Sequence, residues 1–168
     1  MIKNNFKYIL LFIIPLLLQV LIFDKAIFSK YTNAYIYILF ILLLPANFNK
    51  HISLILAFLL GFSVDIFNST PGIHASATIF MTYFRPFILR IYAPHDDYEI
   101  NKPPGIINYG FNWFLKYSLS LIFLHHSFLF IIDTWSFINF GDTLLKIILS
   151  AFSSLFFIIL GHLLIMKE

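Results

Sequence analysis

Asp65 and His74 bracket the stretch GFSVDIFNSTPGIH, which begins at Gly61. A carboxylate and an imidazole nine residues apart can pass a proton, clamp two elements together, or meet a partner. The neighbours narrow the choice. Ser53, Ala57, Gly61 and Asp65 recur every four residues and so share one helical face, a stripe of small residues ending in an acid. His74, Thr78 and Thr82 repeat at the same interval, with Arg85 three further on. Between the two stripes stand Asn68, Ser69, Thr70, Pro71 and Gly72, a turn in which Ser69 or Thr70 can cap the next helix and Pro71 suits its first turn. So short a turn makes the two helices antiparallel and brings Asp65 and His74 to similar depth. The expectation is that acid and imidazole pair across this hairpin, with the carboxylate near the positive end of the second helix dipole. A clamp within the chain is the simplest reading; contact with a partner, a switch, or proton transfer are the others.

The elements that carry these residues are set by composition. Of 168 residues, 60% are hydrophobic and 11% charged, against about 25% charged in soluble domains. This is an integral membrane protein, read as one all-α domain over residues 1–168. A membrane-crossing helix needs about 20 apolar residues. Six segments qualify as polytopic spans: 8–23, 31–46, 52–67, 73–92, 111–132 and 144–166. The first resembles a secretory signal but lacks a small-residue cleavage pattern, so it is read as retained. The second is the weakest, and an alternative reading makes its centre, 35–44, a re-entrant segment rather than a full span. With six spans, eight Lys and Arg residues fall on one side and three (Lys25, Lys30, Lys146) on the other, which puts both termini in the cytoplasm. The longest connection, 93–110, is rich in Pro and reads as loop. Its His95, Asp96, Asp97 and Glu99 read as a solvated acidic patch or a docking site for a cytosolic partner. Asp133 and Trp135 mark the outer interface.

Other polar groups within the spans carry their own alternatives. Arg85 lies about 16 Å along the helix from His74, out of reach of Asp65. With Pro86 next to it, a kink with Arg85 snorkelling inward is expected, or else a contact with lipid phosphate or a partner carboxylate. His125 and His126 point about 100° apart on a helix and so do not chelate as an i,i+4 pair would; interhelical hydrogen bonds suit them better. There is no cysteine, and no nucleophile elbow, phosphate loop, zinc motif or dinucleotide fingerprint. Net charge is +3 with scattered basic residues, which argues against nucleic acid. No cofactor or metal is expected.

The hairpin with Gly61, Asp65, Gly72, His74 and Ala75 resembles the most distinctive segment of the rod shape-determining MreD family: a glycine, an apolar stretch, an aspartate, a turn with glycine, then His-Ala. FRPFILRIYAP (84–94), DDYE (96–99), NWFLKYSLSLIFLHH (112–126) and the following Phe130 are similar to its Bacteroidota branch. The resemblance implies a non-enzymatic, multi-pass inner-membrane subunit of the elongasome, the machinery of rod-shaped peptidoglycan synthesis and cell shape. It implies direct binding to MreC, and company with MreB, a RodA-type glycosyltransferase and a class B transpeptidase among membrane lipids. It also implies a helical fold similar to the substrate-binding subunits of energy-coupling-factor transporters. The small stripe and the outer hairpin would then be contact surfaces. The alternatives are a small-molecule-binding membrane subunit of a transporter, and a membrane enzyme acting on lipid-linked wall precursors, which would need a polar cavity bearing an acid and a base.

Overall fold

The computed structural model describes residues 2–26, 30–93, 103–134 and 140–165. His95, Asp96, Asp97, Glu99 and Trp135 lie outside them. Apolar runs set the long helices: α1 (Ile2–Leu18), continued by a π-helical turn (Gln19–Phe23), α3 (Lys50–Asn68), α4 (Ile73–Ile91), α6 (Phe111–Thr134) and α7 (Phe140–Ile165). Two short helices intervene, α2 (Leu39–Leu42) and α5 (Ile106–Tyr109). The second falls where the Pro-rich connection was expected to be all loop; Gly105 starts it and Gly110, at φ +83°, ends it.

Four stretches are long and apolar enough to cross a membrane: Phe6–Phe23, Lys50–Asn68, Phe111–Thr134 and Phe140–Ile165. Their outward faces carry Leu, Ile and Phe, such as Leu21, Ile66 and Phe156, each more than 60% exposed. An exposed apolar surface of this extent suits lipid and not water, and the chain is an all-α membrane protein. α4 is as long as α3 but carries the polar stripe. That stripe points inward: His74, Thr78, Thr82 and Arg85 are all buried. The hydroxyls of Thr78 and Thr82 return to the carbonyls of His74 and Thr78, both at 2.7 Å.

α4 packs on α3 and α6, and α6 packs on α7. The ends of α1 and α3 lie together, since Asn68 Nδ2 donates to Asp24 Oδ2 at 2.8 Å. α1 and α3 therefore point the same way. The chain between them must return from this end, called here the hairpin end, to the opposite one.

It returns through the middle of the bundle. Ala34–Leu44 is buried throughout, no residue more than 8% exposed, yet only Leu39–Leu42 is helical. The stretch expected as a short span, or else as a re-entrant segment, is thus mostly unwound, and it is enclosed by protein. Unpaired backbone groups in hydrocarbon cost several kcal/mol each, so unwinding requires partners, and side chains of the surrounding helices provide them. On α7, Ser150 Oγ accepts from Asn33 N at 2.9 Å and Ser154 Oγ from Tyr35 N at 2.8 Å. Gln19, turned inward by the π-helical turn, accepts from Ile36 N at 2.8 Å and donates to Ala34 O at 3.1 Å. Tyr117 donates to Leu42 O at 3.0 Å.

Candidate functional site

The hairpin between α3 and α4 is built by Gly61 and Asp65. A Cβ on Gly61 would lie 2.6 Å from both Ala75 Cα and His74 O. Backbone meets backbone there, which only glycine permits. The small stripe Ser53, Ala57, Gly61 and Asp65 is wholly buried. Gly61 spends its part of that stripe on α4 of the same chain.

Asp65 is 1% exposed. Its Oδ1 accepts from His74 N at 3.0 Å and its Oδ2 from Ala75 N at 2.8 Å, and Thr70 Oγ1 donates to Oδ1. The acid therefore caps the first turn of α4 with two charge-assisted bonds at the positive end of the dipole. The pairing expected between carboxylate and imidazole does not form: Asp65 holds the backbone of His74 and not its ring. Neither Ser69 nor Thr70 caps α4. Ser69 (φ 55°) closes α3, Gly72 (φ 86°) precedes α4, and Pro71 sits outside the helix. These left-handed positions swing the chain around so that the acceptor comes from the preceding helix.

The His74 ring turns into the bundle. Tyr37 OH lies 3.2 Å from His74 Nδ1, 3.4 Å from Thr78 Oγ1 and 2.7 Å from His125 Nε2. His125 Nδ1 is 3.4 Å from His126 Nδ1. His126 Nδ1 reaches Ile122 O at 2.8 Å, and its Nε2 reaches Ser154 Oγ at 2.9 Å. Both histidines of α6 thus bond to other elements, His125 to the central segment and His126 to α7. Tyr35 packs edge-on against His74 and His126. A buried polar chain runs from α7 through α6 and the central segment to α4.

Arg85 does not snorkel. It is 3% exposed, and the helix continues through Pro86 to Ile91. Its Nε donates to Tyr117 OH at 2.9 Å, Nη1 to Pro45 O at 3.4 Å, and Nη2 to Leu44 O. Among the described residues the ion pair is Lys146 with Asp133 at 3.7 Å, not one of Arg85. The guanidinium instead faces carbonyls just past the C-terminus of α2, where a cation is favoured. The fork geometry of Arg reaches several acceptors at once, which is why it holds an unwound stretch well.

At the hairpin end a cavity of about 240 Å³ opens between the ends of α1 and α3, the central segment, α4, α6 and α7. Asp24, Asn33, Asn68, His74, Asp133 and Lys146 are among its walls. Asp65, with both oxygens engaged, is not. The sequence reading named His74 here but missed Asp24, Asn33, Gln19, Tyr37, Ser150 and Ser154. Gln19 alone in an apolar run, and Ser150 and Ser154 four apart on α7, were the available signals. No family model, curated protein or solved structure matches this chain.

Proposed function

We propose that this chain is a non-enzymatic subunit of the cell-wall elongation machinery, of the MreD kind, in a bacterial inner membrane. On this reading it crosses six times, with the central segment as the second crossing and both termini in the cytoplasm, so the hairpin end faces outward. It binds MreC and helps position peptidoglycan synthesis. One observation carries the reading: Gly61, Asp65, His74 and Ala75, which bear the resemblance, touch one another and lock a single feature, the α3–α4 hairpin. Gly72 adds the left-handed turn between them. That the members of the motif make one joint is what supports the reading.

The test is affinity purification of the tagged chain from membranes of a rod-shaped host that carries its own copy. MreC is expected among the proteins retained, and depletion of the chain is expected to round the cells. Retention of an ATPase module without MreC would replace this reading with the second one, a small-molecule-binding subunit of a transporter. The polar cavity favours that alternative. Its volume falls below the roughly 300–1,000 Å³ of sites for drug-sized ligands, so it suits something smaller than a vitamin.

A further inference from the structure

The cavity at the hairpin end has a chemistry of its own, independent of the identity proposed above. Asp24 accepts from Gln19 Nε2 at 2.6 Å and from Asn68 Nδ2 at 2.8 Å. Both donors are neutral amides, so they orient the carboxylate without cancelling its charge. Asp133 is paired with Lys146 at 3.7 Å. Two carboxylates against one ammonium leave the wall net negative.

His74 adds a polar atom of its own. Its Nδ1 is taken up by Tyr37 OH, which also lies 3.4 Å from Thr78 Oγ1 and 2.7 Å from His125 Nε2. Its other ring nitrogen is Nε2. That atom has no partner among the described residues, although His74 is 6% exposed. The one sealed, unpartnered side-chain nitrogen or oxygen among them is His162 Nδ1, so Nε2 is open, and His74 is part of the cavity wall.

We propose that this cavity binds a compact ligand carrying a primary ammonium group beside a second hydrogen-bonding group. The ammonium meets Asp24 and the second group meets Nε2 of His74. An amino-acid zwitterion and the ethanolamine headgroup of a phospholipid share this chemistry, and either fits the volume.

The experiment uses the full chain with isotope-labelled histidine nitrogens, in phosphatidylcholine nanodiscs. Glycine or ethanolamine should then shift the His74 Nε2 signal saturably, or nanodiscs containing phosphatidylethanolamine should do so without additive. The first result identifies a water-borne ligand and the second a lipid headgroup. Asp24→Asn, which keeps an oxygen for one of the two amides, should weaken the response at least tenfold. No shift from any of the three, an equal shift from acetate or choline, or an undiminished response in Asp24→Asn would each sink the proposal. The wild-type titrations decide it even if the variant fails to fold.

Discussion

Asp65 grips Ala75 by its backbone N–H at 2.8 Å and not His74 by its ring. The carboxylate belongs to one helix and the amide to the next, so the bond is both a cap and a tie across the turn. Replacing Asp65 with Leu leaves two buried amides without acceptors. Caps and charged hydrogen bonds of this kind contribute about 2–4 kcal/mol together. Asp65→Leu should lower thermal stability in detergent by that order, and Asp65→Asn by less, because one amide keeps its acceptor. Equal stability of Asp65→Leu and wild type would show that the cap is dispensable.

Gly61 tests the same hairpin by shape alone. A methyl group there must push backbone apart, since the nearest atoms are Ala75 Cα and His74 O, each 2.6 Å from the added carbon. Overpacking typically costs about 1–3 kcal/mol. Gly61→Ala is therefore destabilising, and disulfide crosslinking between cysteines placed on α3 and α4 near this point should slow. Gly141, which has nothing within 4 Å of such a carbon, is the control: Gly141→Ala should leave stability unchanged or slightly raised, as expected for Ala over Gly in a helix.

Much of this hairpin was legible in the sequence, because four-residue spacing on two short-linked helices fixes which faces meet. What the sequence left open was how Asp65 is satisfied. Side-chain pairing and backbone capping ask for the same residue types at the same spacing, and only the left-handed turns at Ser69 and Gly72 decide between them. The central segment was harder. Its run of Tyr, Ile and Leu has the composition of a helix, and hydropathy cannot see unwinding. The partners that make unwinding tolerable lie up to 119 positions away, as Ser154 does from Tyr35. Arg85 was misjudged for the same reason: its acceptors are carbonyls of that segment, which become available only once the segment leaves the helix.

Ser150 and Ser154 are each tied to one amide of the central segment. Ser154→Ala should cost about 1–3 kcal/mol, because it leaves the buried Tyr35 N–H unpaired and takes a partner from His126; Ser150→Ala should cost less, because Asn33 is only half-buried. The sharper readout is local. Amide hydrogen exchange should accelerate at Asn33 in the first variant and at Tyr35 in the second, with α3 and α4 unaffected. Uniform acceleration across the chain would mean that the serines support the whole bundle and not their own amides.

Arg85 separates charge from geometry. Its guanidinium reaches Tyr117 and the carbonyls of Leu44 and Pro45 from one side chain. Lys keeps the charge but offers a single nitrogen on a flexible stem. If the fork matters, Arg85→Lys loses much of the stability that Arg85→Met loses, on the order of 3 kcal/mol for a broken buried charge-assisted network. If only the charge at the end of α2 matters, Arg85→Lys is nearly silent. Thermal unfolding of both variants in detergent decides between these outcomes. The geometry favours the fork, because Tyr117 itself donates to Leu42 O at 3.0 Å. A single network then holds Leu42, Leu44 and Pro45, and a lysine that reaches one carbonyl abandons the others.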